Sequence, residues 1–301
     1  MKQLSLRVDS GEKLRRGGAW RGDLALGLAL LALALAAMLA PARAGGAPEV
    51  FIPGFWEPAQ RLDKPDLGGL RVIRFLTDDD YPPMNFQTEE GRLAGFNVDL
   101  ARALCDTLAI ACTVQARRWD TMLDALREGR GDAVIASLRA TPQLRSEFAL
   151  SSVYLRTPAR FVARGGEPVQ PSPEALAGRR VGVVEGSAQE AYLRAFFPKA
   201  EPKPFRDLAM VREALLNKEV DLLFADGLTL AVWLNGSEAG ECCAFVGGPY
   251  TESRYFGEGV AIVMRKGEPA LRKALDYALQ RVAEKGIYAE LYLRYFPIGF
   301  Y

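Results

Sequence analysis

Short apolar runs alternate along this chain with longer stretches in which apolar residues recur every three or four positions. The short runs, bounded by charges and turn residues, predict strands buried on both faces of a sheet, and the longer stretches predict amphipathic helices. The first set reads strand, helix, strand, helix, strand over residues 70–76, 97–108, 111–115, 119–127 and 133–137. This order predicts an α/β fold with a mostly parallel sheet covered by helices.

A second set of five elements follows, over residues 180–184, 188–197, 202–205, 208–217 and 222–225. Corresponding residues of the two sets are equally spaced along the chain. Leu126 is followed six residues later by Asp132 and eleven residues later by Ser137, and Leu215 is followed at the same distances by Asp221 and Asp226. This repeat predicts two similar lobes. Residues 255–264 and 270–285 then predict a strand and a structural helix.

The repeat makes Ser137 and Asp226 equivalent positions at the carboxyl ends of buried strands, where open α/β sheets bind ligands. After Ser137 come Arg139, Thr141 and Arg145, with Thr141 and the following proline typical of a helix N-cap and first helical residue. Backbone N–H groups, hydroxyls and guanidiniums together suit a carboxylate. The alternative is a capped turn with two solvated arginines.

The first 44 residues predict a secretory signal peptide. Arginines precede an apolar run at residues 24–39, and small residues around Ala44 suit a signal peptidase. Sixteen apolar residues are few for a membrane-spanning anchor, which is the minority interpretation. These 44 residues carry seven Lys or Arg and three Asp or Glu, so their removal changes the net charge from +1 to −3. An exported chain with a net negative charge lacks the excess of basic residues that nucleic-acid binding requires.

The chain contains no histidine, which excludes histidine-based nucleophile pairs, histidine general bases and histidine zinc ligands. Its four cysteines form two separated pairs and lack zinc-ribbon spacing. We expect neither a metal nor a cofactor. Cys105 and Cys112 are spaced so that a helix end can turn back to the next strand, and we expect them to form a disulfide after export. Cys242 and Cys243 are adjacent and cannot easily pair, so we expect them to be free.

Several spaced motifs together resemble the periplasmic amino-acid-binding proteins, solute-binding family 3, and in particular their lysine/arginine/ornithine- and histidine-binding group. The resemblance covers roughly residues 70–300 and is carried by the cysteine pair and by residues 77–83, 95–100, 137–151, 182–190 and 255–259. It implies a type II periplasmic binding protein fold, in which two lobes joined by two hinge strands close over one small ligand. It also implies a monomer that delivers the ligand to an ABC permease.

The resemblance also implies roles for particular residues. In the first lobe, Asp78 and Tyr81 lie on a loop at the cleft, Asp78 near the distal amine of a basic ligand. Trp119 stacks on the ligand side chain, and Ser137 binds its α-groups. In the second lobe Asp226 pairs with the α-ammonium, beside a helix N-terminus formed by Ser187, Ala188 and Gln189. Some of these residues also have a purely structural interpretation. Trp119 could pack in the core, Tyr81 could be a turn residue, and residues 78–80 could form a solvated acidic loop.

One departure from the family pattern concerns its carboxylate-binding arginine, which is expected three residues after Thr141. Leu144 occupies that position, Arg145 follows it, and Arg139 stands where the family has a small hydroxyl. Either guanidinium could clamp a carboxylate. We expect Arg139 to do so.

The predicted organisation is a signal peptide (1–44), a proline-rich leader (45–68), the first lobe (69–157), the second lobe (158–248) and a return segment (249–301) that completes the first lobe. The leading hypothesis is a non-enzymatic binding protein for a small polar amino acid, possibly cationic, or a related carboxylate. Two alternatives stay open. One is a periplasmic dehydratase-like enzyme using Glu185 and Asp226 for acid–base chemistry, and the other is a sensory or accessory module.

Overall fold

The computed structural model describes residues 52, 54, 61–166, 169–296 and 299–301. The predicted signal peptide lies outside these residues, as does most of the leader. In the described part of the leader, Ile52 and Leu67 pack against the core, and the backbone N–H of Leu62 donates to Gln280 Oε1 at 2.9 Å. No helix of the described residues is long and apolar enough to cross a membrane.

Two five-stranded sheets carry the fold, and each defines a lobe. In spatial order, the first sheet contains β5 (Ala111–Ala116), β1 (Val72–Thr77), β6 (Ala133–Val134), β13 (Val260–Met264) and β7 (Ala149–Leu155). The second contains β10 (Glu201–Phe205), β9 (Arg180–Val184), β11 (Leu222–Asp226), β8 (Ala159–Arg164) and β12 (Cys243–Tyr250). In each sheet four strands run in one direction and one strand, β13 in the first sheet and β8 in the second, runs antiparallel to both of its neighbours. The predicted α/β architecture is therefore confirmed.

A small third sheet precedes the first helix, with strands β2 (Asp80–Tyr81), β3 (Asn85–Gln87) and β4 (Leu93–Ala94). Nine α-helices are found in the described residues: α1 (Phe96–Leu108), α2 (Met122–Arg127), α3 (Pro142–Glu147), α4 (Ala188–Phe196), α5 (Leu208–Leu216), α6 (Gly227–Asn235), α7 (Ser253–Phe256), α8 (Pro269–Glu284) and α9 (Ile287–Tyr295). A 3₁₀ turn at Trp119–Thr121 leads into α2, so the predicted helix over residues 119–127 begins with a tighter turn.

The inner strands of both sheets are buried on both faces, which explains why they are nearly continuously apolar. In β8, Phe161 packs into one hydrophobic cluster and the next residue, Val162, into another on the opposite face. In β1, Phe75 and Leu76 likewise pack into two different hydrophobic clusters on opposite faces of the sheet. Each lobe thus has its own pair of core layers.

The repeat predicted from residue spacing is present in three dimensions. Arg74 on β1 binds Asp132, with an Nη2–Oδ1 distance of 2.7 Å, and its backbone N–H donates to Asp132 Oδ2 at 2.9 Å. Arg180 on β9 binds Asp221 through the same two contacts, at 2.7 Å and 2.9 Å. In each lobe an arginine–aspartate pair therefore links the first strand of the repeat to the turn before its third strand.

Side-chain oxygens cap the N-termini of four helices. Thr141, Ser187, Asp207 and Asp226 each accept a hydrogen bond from the backbone N–H three residues later. These contacts satisfy donors that have no partner inside the helix. The predicted cap at Thr141, with Pro142 as the first helical residue, is confirmed.

The chain crosses between the two sheets twice, from β7 to β8 through residues 156–158 and from β12 to β13 through residues 251–259. The second crossing corrects the strand predicted over residues 255–264. Residues 253–256 form α7, and the strand begins only at Val260, because Gly257 and Gly259 take positive φ angles of 81° and 112°. Those angles interrupt an extended strand.

Both cysteine pairs form disulfides. The Cys105–Cys112 bond joins α1 to β5 as predicted, with the two Cα atoms 5.9 Å apart. The expectation that Cys242 and Cys243 are free is wrong, because they are bonded to each other. They lie where the chain leaves a turn and enters the edge strand β12, and the Cys242 carbonyl accepts a hydrogen bond from Gly165 N–H at 2.5 Å.

Candidate functional site

A cavity of about 680 Å³ opens at the carboxyl ends of the first-lobe strands. Its walls include six of the residues expected from the sequence: Asp78, Tyr81, Trp119, Ser137, Arg139 and Thr141. Asp80, Ala136, Leu138 and Leu144 complete them. All of these residues come from the first lobe, and we call this space the cleft cavity.

Asp78 and Ser137, which both line the cavity, are joined by a polar network that runs through Asn85 and Asn97. Asn85 Nδ2 donates to Asp78 Oδ1 at 2.6 Å, and Asn97 Nδ2 donates to Asn85 Oδ1 at 2.6 Å. Asn97 Nδ2 also donates to Ser137 Oγ at 3.0 Å, and Tyr154 OH donates to Asn97 Oδ1 at 2.8 Å. Every donor in this sequence of contacts therefore meets an acceptor, which is what buried polar groups require.

Asp78 is only 6% exposed, unlike Asp79 and Asp80, so it does not belong to a solvated acidic loop. The pKa of its carboxyl group is raised from 3.8 to about 6, mainly by burial and also by the neighbouring Asp80, while hydrogen bonds from its own backbone and from Asn85 oppose the rise. Burial destabilises the charged form of a carboxylate. A cation placed in the cavity would restore that charged form.

Ser137 stands at the turn after β6, with a positive φ of 56°. Its backbone N–H points to Tyr154 OH at 3.3 Å, and its hydroxyl accepts the Asn97 amide proton. The serine hydroxyl proton therefore stays available for donation into the cavity that Ser137 lines.

Arg139 is held by its backbone against the second crossing. It forms a bridge with Val260, and the flanking residues bond to the same segment through Ala140 N–H to Gly259 O at 2.9 Å and Ala261 N–H to Leu138 O at 3.1 Å. Arg139 lines the cavity and is an exposed residue, and its guanidinium forms no ion pair within the part of the chain that the structure describes. An unpaired cation on a fixed backbone is a ready partner for a carboxylate.

Arg145 is engaged elsewhere. Its Nη2 lies 2.6 Å from Glu258 Oε2, and the residue does not line the cleft cavity. Leu144, at the position where the family pattern has its arginine, lines the cavity instead. The structure therefore places one of the two candidate arginines at the cavity.

Two aromatic side chains border the opening. Trp119 is 57% exposed and Tyr81 is 44% exposed, so neither serves as core packing. Large exposed aromatic rings at a cavity mouth provide flat apolar surfaces for a ligand side chain.

The second-lobe candidates do not line the cleft cavity in this structure. Asp226 ends β11 and caps α6, with its Oδ1 accepting from Thr229 N–H and Thr229 Oγ1–H at 3.0 Å each. Ser187 caps α4 through Glu190 N–H at 3.1 Å, and Ala188 and Gln189 form the first turn of that helix. Burial raises the pKa of the Tyr81 hydroxyl, and the charge of Asp226 also raises it, whereas the charge of Arg139 lowers it. Both charged residues are therefore close enough to Tyr81 to act on it electrostatically.

Asn85, Asn97 and Tyr154 were not predicted as site residues, although they organise the cavity floor. The residue motif at 95–100 contained Asn97, but nothing in it indicated a contact with Ser137, forty residues away. Among the described residues no cluster of His, Cys, Asp or Glu is arranged to hold a metal ion.

Known proteins resemble this chain over most of its length. Residues 73–298 match the family model for bacterial extracellular solute-binding proteins, family 3. The L-arginine-binding protein of Pseudomonas aeruginosa is 30% identical over 242 residues, 80% of this chain and 93% of the relative. The lysine/arginine/ornithine-binding periplasmic protein of Escherichia coli is 29% identical over 232 residues, 76% and 89% of the two chains. A solved ancestral cationic amino acid solute-binding protein matches with a TM-score of 0.60 at 26% identity, covering 75% of this chain and 96% of its own.

Proposed function

The chain belongs to the bacterial extracellular solute-binding proteins of family 3, and from that premise we propose that it captures a small cationic amino acid and delivers it to an ABC importer. One observation carries the proposal. The cleft cavity combines a buried carboxylate at Asp78, a hydroxyl donor at Ser137 and an unpaired guanidinium at Arg139.

These groups complement the two ends of a basic amino acid. The α-carboxylate would accept bonds from Arg139 and the Ser137 hydroxyl, and the distal cation would meet Asp78. The stem between them would pack against the exposed rings of Tyr81 and Trp119. The cation would also compensate for the desolvation that raises the pKa of Asp78 to about 6.

Binding would be completed by closure of the second lobe. Asp226 would then reach the α-ammonium, and Ser187, Ala188 and Gln189 would approach from the N-terminus of α4. A ligand that contacts both lobes favours the closed state by the difference between its affinities for the two states. The two crossings at residues 156–158 and 251–259 are the segments that would bend.

The named relatives support this ligand class, since their names state that they bind arginine, lysine or ornithine. They also support a periplasmic location, to which residues 1–44 would direct the chain before cleavage near Ala44. A monomeric holo-protein presenting its closed lobes to a membrane permease follows from the same proposal.

A panel of all common amino acids with the mature chain from Gly45 onward tests the proposal by thermal shift, supported by mass spectrometry of ligand that co-purifies with the protein. We expect arginine, lysine or ornithine to raise the melting temperature most. Asp78→Asn should remove the preference for cationic over neutral amino acids, whereas Asp79→Asn, at the exposed neighbouring position, should keep it. A panel in which no amino acid shifts the melting temperature would contradict the proposal, and turnover of arogenate or prephenate would favour the dehydratase alternative.

A further inference from the structure

A second cavity, of about 350 Å³, lies between the two lobes beside α6. Residues 81–83 form its first-lobe side, and α6 with the following turn forms its second-lobe side. It shares only Tyr81 with the cleft cavity. We call it the α6 cavity.

Helix α6 packs against the cores of both lobes. Leu228 and Ala231 join the core of the first lobe, and Leu230 and Trp233 join that of the second. Between these two faces, Val232 remains 45% exposed and lines the cavity. The cavity therefore has an apolar wall on a helix that contacts both lobes.

Arg212, on α5, supplies a cation to this cavity and has few partners for it. Its guanidinium carbon lies 5.5 Å from the Trp233 ring centroid, and its Nη2 only approaches Thr229 O, at 3.5 Å. Its Nε is buried without a hydrogen-bond partner, and burial lowers the pKa of the group. A half-buried guanidinium so poorly satisfied costs free energy that an anion could offset.

Glu238 supplies the opposite charge from the turn after α6. It also lines the cavity, and its charge acts on Arg212 without forming an ion pair between the two side chains. Both charges therefore remain available within the part of the chain that the structure describes. The wall between them is apolar and includes Pro82, Pro83 and Trp233.

We propose that the α6 cavity is a second binding site, for a zwitterionic α-amino acid with an apolar side chain. The ligand carboxylate pairs with Arg212, its ammonium with Glu238, and its side chain packs on the proline and tryptophan wall. A simple carboxylate would be repelled by Glu238 and a simple amine by Arg212, so the pair of charges selects molecules that carry both. The site is independent of which ligand the cleft cavity takes.

Isothermal titration of the mature protein with L-phenylalanine, in the presence of saturating L-arginine, tests this site. Binding by the wild type is expected, and 3-phenylpropionate and phenethylamine, which each lack one charge, should bind at least about tenfold more weakly because one site charge stays unpaired. Arg212→Gln and Glu238→Gln should each weaken L-phenylalanine binding by about the same factor. Arg206→Gln and Glu241→Gln, at exposed positions outside the cavity, serve as matched controls.

Arg139→Ala separates the two cavities, since it should leave L-phenylalanine binding unchanged. Loss of that binding in Arg139→Ala would place the ligand in the cleft cavity and overturn the proposal. So would the absence of binding to the wild type, or unchanged binding in the Glu238→Gln variant, whose exposed side chain can be replaced without loss of the fold. L-arginine binding in the Arg212→Gln and Glu238→Gln variants reports on the cleft separately and should stay at the wild-type level.

Discussion

Asn97 donates its side-chain amide to Ser137 Oγ at 3.0 Å, so a residue at the start of α1 determines how a hydroxyl on the cavity wall is oriented. The same amide donates to Asn85, and its oxygen accepts from Tyr154 OH. Asn97 thus uses all its hydrogen-bonding atoms inside the fold. Asn97 therefore positions the Ser137 side chain, although it does not line the cleft cavity itself.

Replacing Asn97 with alanine is expected to weaken ligand binding and to destabilise the protein. Tyr154 OH and Asn85 would lose a partner in a buried site, at a cost of roughly 1–3 kcal/mol. Urea unfolding measures the free-energy change, and calorimetry measures the affinity for the cleft ligand.

Ser137→Ala provides the comparison. It should lose affinity while changing stability less, because the hydroxyl is one partner in the network and faces the cavity. Ser146→Ala, at an exposed position on α3, should leave affinity unchanged. An Asn97→Ala protein with wild-type affinity would contradict this role for Asn97.

The raised pKa of Asp78 predicts a pH dependence of stability in the ligand-free protein. Its folded-state pKa of about 6 lies above the ordinary 3.8, so its contribution to stability is fully present below the ordinary value and is lost as the pH rises through 6. Asp78→Asn should therefore gain stability relative to the wild type between pH 4 and pH 7, as followed by thermal unfolding. Asp79→Asn should show no such gain, and a constant difference between wild type and Asp78→Asn across this range would contradict the prediction.

Asp221 should show the opposite dependence. Hydrogen bonds from Arg180 lower the pKa of its carboxyl group, although burial opposes them, so its contribution is present at neutral pH and is lost as the pH falls through the folded-state pKa. Asp221→Asn is therefore expected to be less stable than the wild type at pH 7, with the difference shrinking below about pH 4. Urea unfolding at both pH values checks this, with exposed Glu219→Gln as the control.

The two disulfides should differ in their effect on stability. The Cys105–Cys112 bond closes a loop with a sequence separation of 7, and replacing both residues with serine should cost about 2 kcal/mol, largely by releasing the unfolded chain. The Cys242–Cys243 bond joins neighbours and restrains little chain, so the same replacement should cost much less. Urea unfolding of the two double variants compares them directly, and an equal cost would contradict the loop-length argument.

Residue spacing predicted the parts of the fold that depend on local sequence. The equal distances from Leu126 to Asp132 and from Leu215 to Asp221 correctly indicated two similar lobes, because helix, turn and buried strand follow one another along the chain. Spacing could not reveal that the two aspartates bind Arg74 and Arg180, since that contact needs the parallel pairing of strands.

The same limit explains what was missed at the site. Asp78, Ser137 and Arg139 were predicted from strand ends and motifs, and the cleft cavity brings them together. The contact between Asn97 and Ser137 depends on how α1 packs beside the end of β6, a tertiary relationship with no local pattern. The bonded Cys242 and Cys243 were likewise missed, because adjacency in sequence argued against pairing and the contact of Cys242 with the distant Gly165 has no local pattern.

The two candidate arginines can be separated by titration of single variants. Arg139→Ala should weaken binding of the cleft ligand by about a hundredfold, because a charge-assisted bond to the ligand carboxylate is lost and that carboxylate is left unpaired. Arg145→Ala should change affinity little, since its guanidinium binds the exposed Glu258 at 2.6 Å and surface ion pairs contribute about 0–1 kcal/mol. Arg139→Lys should recover only part of the affinity, because an ammonium keeps the charge but not the planar fork of donors. Near-wild-type affinity in Arg139→Ala, or a larger loss in Arg145→Ala, would assign the carboxylate to a different residue.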